Sequence, residues 1–117
     1  MSEQHKALLL AGNDAIRAGN YDAFADQCTE DTEWVIVGDR TLRGPEAVRA
    51  YMRTAYAVPP VFTVDLLIAE GEHLTALGHI TLTDEKGSAT SYAYCDVWRF
   101  RDGKIAGLKA FVLPAGG

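Results

Sequence analysis

The sequence predicts an α+β domain: a curved, mostly antiparallel sheet with helices packed on one face. Three observations carry this expectation. Up to Pro60 the chain alternates helical apolar spacing with one β-rich run, in the order α-α-β-α. After Pro60 the apolar period switches to two and holds through four consecutive strands. The turns between those strands are short, which makes neighbours antiparallel, and helices followed by a run of strands belong to the α+β class.

The elements follow in order. Over residues 3–18, Leu8, Leu9, Ala11, Ala15 and Ile16 recur at helical spacing, and Gly19 supplies the stop because only glycine enters the left-handed region freely. Asn20 can cap a short second helix from Tyr21 to about Cys28. Residues 32–37, with Trp34, Val35, Ile36 and Val37, read as a strand, and residues 38–44 as a turn-rich loop. Pro45 fits the first turn of a helix that continues through Val48, Tyr51, Met52 and Ala55, and Pro59-Pro60 bars its extension. Strands are expected at residues 61–69, 73–83, 90–101 and 105–113. The last two are joined by Asp102-Gly103, a strong hairpin signal. The tail from Pro114 to Gly117 is expected to be loose.

With 117 residues, 48% of them apolar, the chain is expected to form one domain over residues 1–117 with a real core. Eleven basic against sixteen acidic residues give a net charge of −5, which argues against nucleic acid and against an anionic membrane surface as partners. No apolar run approaches the roughly 20 residues of a membrane span. The polar start Met-Ser-Glu-Gln-His-Lys lacks a signal segment, so a cytoplasmic protein is expected, with Cys28 and Cys95 as reduced thiols. His5, His73 and His79 have no metal-ligand spacing, and neither a dinucleotide fingerprint nor a phosphate-binding loop occurs. No metal and no cofactor are expected.

Four segments together resemble a known family. They are Ala18-Gly19-Asn20-Tyr21-Asp22-Ala23-Phe24, Thr29-Glu30-Asp31-Thr32-Glu33-Trp34, Leu42-Arg43-Gly44-Pro45-Glu46-Ala47-Val48 with Tyr51, and the run from Asp96 to Ile105. In order and spacing they resemble the NTF2-like superfamily, in its SnoaL-like and ketosteroid-isomerase-like branch, over nearly the whole chain. The resemblance implies a cone: the sheet curls around the helices and leaves a deep pocket. It also implies a homodimer formed through the outer sheet face, where Val97 and Phe111 need cover.

Alternation puts Tyr92, Tyr94, Asp96 and Trp98 on one face of their strand, and the resemblance implies that this is the pocket face, with Asp96 at a functional place. A hairpin register around Gly87 sets His79 opposite Tyr94, with Asp96 its diagonal neighbour. On the last strand Leu108, Ala110 and Val112 face in, and Trp34, Ile36 and Tyr51 complete the wall. A carboxyl in such an apolar hollow has its pKa raised and can move protons near neutral pH. The catalytic candidates are therefore Asp96 and His79. The substrate-binding candidates are Tyr94, Tyr92, Trp34, Ile36, Tyr51, Trp98 and Ala110.

The departures from the family narrow the chemistry. The proton-moving aspartate of ketosteroid isomerases falls at Ile36 and their helix tyrosine at Gly12, so steroid isomerisation is not expected. The last-strand aspartate of the epoxide hydrolases of this fold falls at Ala110. SnoaL-like polyketide cyclases, with one aspartate at the place of Asp96, fit better. Two functions stand side by side: an isomerase or cyclase acting by proton transfer on a hydrophobic carbonyl compound, and a non-catalytic module that binds a hydrophobic small molecule or dimerises. In the second, Asp96 is a structural carboxyl.

Overall fold

The computed structural model describes residues 2–115. Three helices, α1 (Ser2–Arg17), α2 (Tyr21–Ala25) and α3 (Pro45–Ala55), pack against one six-stranded sheet. Its strands are β1 (Cys28–Ile36), β2 (Arg40–Arg43), β3 (Val61–Glu70), β4 (His73–Thr83), β5 (Ala89–Arg101) and β6 (Lys104–Pro114), in the order β2-β1-β6-β5-β4-β3. All neighbours are antiparallel except β1 and β6, which run parallel. The result is the expected α+β cone.

Local chemistry sets the punctuation. Gly19 takes a positive φ of 73° after α1, and the Asn20 side chain accepts the Ala23 N–H at 3.2 Å to start α2. Pro45 opens α3. Asp102 and Gly103, with φ of 54° and 74°, turn β5 into β6 as the Asp-Gly pair requires.

Four expectations need correction. The second helix stops at Ala25, and β1 already begins at Cys28. Its first half buries only Cys28, Thr29 and Thr32 among charged neighbours, so it carries no β-rich apolar signal. The loop expected over residues 38–44 contains β2, in which Leu42 alone is buried, opposite Trp34. At the tail, Pro114 pairs with Tyr92 and the Ala115 N–H bonds the Ser91 carbonyl at 3.1 Å, so the tail is held that far. Gly116 and Gly117 lie outside the described residues.

The fourth correction is the register of the β4–β5 hairpin. The Asp84 carboxylate accepts the N–H groups of both Lys86 and Ser88 at 2.9 Å, and Thr83 pairs with Ala89. The turn is therefore centred one half-step earlier than expected. His79 pairs with Ala93, and Gly78 pairs with Tyr94. A one-residue slip moves a side chain to the other face of the sheet, and His79 accordingly lies outside.

The core sits between the helices and the inner sheet face. Phe24 of α2 meets Trp34 of β1 edge-on at 5.6 Å between ring centroids, and Trp34 meets Trp98 of β5 in the same way at 5.4 Å. Such perpendicular pairs add roughly 0.5–1.5 kcal/mol each beyond their buried area. Leu9, Val48, Met52 and Leu74 are fully buried around them.

Candidate active site

Asp96 lies mid-strand on β5, between Ala76 of β4 and Ala110 of β6. Both neighbours are alanines, so the sheet floor beside the carboxyl is shallow and leaves space above it. That space is a cavity of about 90 Å³. Trp34 and Ile36 of β1 wall it, as do Tyr51 and Met52 of α3 and Tyr56 just beyond α3. Asn13 and Ile16 of α1 roof it. Pro60, Phe62, Ile80 and Val112 line it toward its mouth.

The environment of Asp96 is apolar. Burial pushes its pKa from 3.8 up to about 7, with no cation near enough to offset the loss of water. Its Oδ1 is buried without a hydrogen-bond partner, and so are the indole Nε1 atoms of Trp34 and Trp98. A buried polar group left unpaired costs about 1–3 kcal/mol. All three atoms belong to residues that line the one cavity. The surrounding phenols feel the carboxyl. Burial raises Tyr51, Tyr56 and Tyr94, and the charge of Asp96 raises each of them further.

Of the residues singled out from the sequence, Asp96, Tyr94, Trp34, Ile36, Tyr51, Trp98 and Ala110 all line this cavity. Two do not. His79 stands on the outer face with its side chain 64% exposed, and its Nδ1 is 3.1 Å from Asp65. The half-step register that puts it there removes it as a partner of Asp96. Tyr92 lies one side-chain repeat further along β5, about 7 Å nearer the hairpin tip. It lines a separate groove with Val58, Leu82 and Thr90.

Tyr94 also differs from its expected role. Its hydroxyl donates to the Thr63 carbonyl at 2.6 Å, so its proton is already committed, and burial, helped by the charge of Asp96, pushes its pKa up to about 12. Sequence reasoning did not single out Asn13 and Tyr56. Asn13 had a usable signal: it is a polar residue spaced between Leu9 and Ile16 on the buried face of α1, and it is 7% exposed. Gly12 beside it faces Phe24, where an added Cβ would lie 2.8 Å from the ring, so no larger side chain fits at that place. Among the described residues no group of three or more His, Cys, Asp or Glu side chains is arranged to hold a metal ion. No described helix is long and apolar enough to cross a membrane.

Residues 10–108 match the family model of the SnoaL-like domain. No curated protein is a significant match in sequence. The fold is similar to that of SalBIII, an epoxide hydrolase/cyclase-like enzyme in pyran ring formation in the polyether salinomycin, at 20% identity and a TM-score of 0.86 over 94% of this chain and 91% of that one. It is similar to an LEH-like epoxide hydrolase of M. tuberculosis, at 16% identity and a TM-score of 0.84 over 95% and 84% of the two chains. It is also similar to an NTF2-like protein of unknown function from Burkholderia pseudomallei, at 21% identity and a TM-score of 0.82 over 95% and 91%. At these identities the likeness is one of fold.

Proposed function

The chain belongs to the SnoaL-like domain family, and from that premise we propose that it moves a proton on a hydrophobic carbonyl compound, as an isomerase or cyclase does, without a cofactor. One observation carries the reading: a single carboxyl, Asp96, is held in an apolar cavity with a pKa of about 7 and one oxygen unpaired. A structural carboxyl is ordinarily paired or solvated. This one is buried in an apolar cavity, and with its pKa at about 7 it is divided between acid and base at neutral pH, which is where general acid–base catalysis is most effective. Ketosteroid isomerases also rely on carboxyls whose pKa an apolar site has raised. Their catalytic positions on β1 and α1 are Ile36 and Gly12 here, so steroid isomerisation is not proposed.

The step balances without an outside reagent. Ionised Asp96 takes a proton from the carbon next to the carbonyl. The C–H electron pair becomes a new C=C bond and the C=O π pair moves onto the oxygen, giving an enolate. As the oxygen re-forms the C=O bond, the C=C π pair takes the proton back from protonated Asp96 at the same carbon or, in a conjugated substrate, at a carbon further along the system. The enolate oxygen needs a donor. Tyr94 has committed its proton to Thr63, and Tyr92 and His79 lie elsewhere, so Tyr51 on the cavity wall is the donor we propose. The test is exchange of the α-hydrogens of cyclohexanone in D₂O, followed by NMR. The protein is expected to accelerate exchange, and Asp96→Asn to abolish the acceleration. Cyclohexanone binding with no exchange would favour the binding module instead.

We also propose that the outer sheet face packs on a second copy of the chain. Leu66, Leu77, Cys95 and Phe111 form one unbroken cross-strand row over four strands, and Leu66, Leu77 and Phe111 are exposed. A two-fold axis through such a row sets identical apolar patches against each other, and two sheet faces meet well at about 10 Å.

A further inference from the structure

We infer, on the premise that this cavity is the site of proton transfer, that its ligand is a low-molecular-weight carbonyl compound, a short-chain or single-ring ketone rather than a fused-ring one. The cavity measures about 90 Å³. An engineered cavity of about 150 Å³ holds benzene, and a water takes roughly 30 Å³, whereas sites for drug-sized ligands run to roughly 300–1,000 Å³. The space above Asp96 therefore admits a carbonyl and a few carbons, with the mouth at Phe62, Ile80 and Val112 taking the edge of a ring.

The walls are held, so the space does not readily grow. The ring of Tyr94 lies over Gly78 and is tied to the Thr63 carbonyl at 2.6 Å. The carbonyl of Tyr56 accepts the hydroxyl of Tyr21. Trp34 and Trp98 brace each other and Phe24 at 5.4–6.1 Å between centroids. Met52 is 1% exposed. Each of these side chains would have to leave a packed contact for a fused-ring ligand to enter, and close-packed interiors resist that. What remains adjustable is the mouth, where Val112 is 39% exposed.

The two tryptophans are the only ones in the chain, and both line the cavity, so their indole N–H resonances report binding there. The full-length protein is titrated with butanone, cyclopentanone, 2-decalone and a four-ring steroid ketone while those two signals are followed. Butanone and cyclopentanone are expected to shift both signals saturably, with 2-decalone and the steroid ketone at least about tenfold weaker. Ile80→Ala and Val112→Ala, each of which widens the mouth, are expected to strengthen 2-decalone relative to butanone by about fivefold or more. Wild-type protein that binds 2-decalone or the steroid ketone as tightly as cyclopentanone overturns the inference, as does the absence of binding by every ketone. Small ketones that bind without α-hydrogen exchange leave the size limit standing and overturn the proton-transfer reading. Exchange on 2-decalone by the wild type does the reverse.

Discussion

Gly78 of β4 lies directly across from Tyr94 of β5, and the phenol occupies the space a side chain at position 78 would need. An added Cβ there would stand 2.0 Å from the Thr63 carbonyl oxygen and 2.7 Å from the Tyr94 hydroxyl. The missing side chain is what lets Tyr94 cross β4 and bond the backbone of β3. Gly78→Ala is therefore expected to destabilise the protein by roughly 3 kcal/mol, at the upper end for an overpacked core. Chemical denaturation measures it, and Tyr94→Phe, which loses only the hydrogen bond, is expected to cost about 1 kcal/mol.

The raised pKa of Asp96 makes stability depend on pH in a defined direction. Between 3.8 and about 7 the folded protein keeps the proton that the unfolded chain has lost. The native state binds more protons in that window, so stability falls as pH rises through it and levels off above about 7. A shift of this size corresponds to a change on the order of 4 kcal/mol. Asp96→Asn does not titrate. It is expected to flatten the curve between pH 4 and 7 and to exceed the wild type in melting temperature at pH 8. Asp31, held down to about 2 chiefly by its hydrogen bond to Arg101, acts in the opposite sense and only below this window.

Much of the site is legible in the sequence because alternation is a strict rule. Once β5 is recognised, Tyr94, Asp96 and Trp98 must share a face, and Leu108, Ala110 and Val112 likewise on β6. Register is not legible, because it depends on how Asp84 folds its own turn, and one half-step reverses the face of His79. Nor is the reach of the cavity along the cone. Tyr92 shares a face with Asp96 yet falls beyond the space roofed by α1 and α3. The short β2 strand is hidden because an edge strand with one buried residue has no pattern to show.

His79 supplies the control for the assignment of chemistry. It pairs only with Asp65, in water, and an exposed pair of this kind contributes about 0–1 kcal/mol. His79→Ala is expected to leave α-hydrogen exchange within about twofold of wild type and to move stability by less than about 1 kcal/mol. A large loss of exchange in this variant would tie catalysis to the outer face and remove Asp96 from its central position.

The outer row of apolar residues predicts the state of assembly. Phe111 sits at 40% exposure in one cross-strand row with Cys95 and Leu77, on the sheet face opposite the cavity-lining Ala110 and Val112. A dimer is expected by sedimentation at micromolar concentration. Phe111→Glu places a charge in the middle of the row and is expected to give monomers with an unchanged far-ultraviolet spectrum. A wild-type protein that is monomeric under these conditions leaves the outer face without a partner.

Tyr51 separates binding from chemistry at the same cavity. Its phenol is raised first by burial, then by Asp39 and Asp96, while Arg40 above its ring works the other way, so the hydroxyl keeps its proton throughout the working range. A phenol that stays protonated beside the reacting carbonyl donates more strongly as negative charge gathers on the oxygen, and that gain exists only in the transition state. Removing one such donor costs about 10²–10³ in rate. Tyr51→Phe is therefore expected to lower kcat for α-hydrogen exchange of cyclohexanone by about that factor while KM changes little. The Trp34 and Trp98 indole signals should still shift with cyclopentanone in this variant, because the ring that walls the cavity is retained. A variant that instead loses binding with kcat intact would make Tyr51 part of the wall alone and pass the donor role to another phenol or to Asn13.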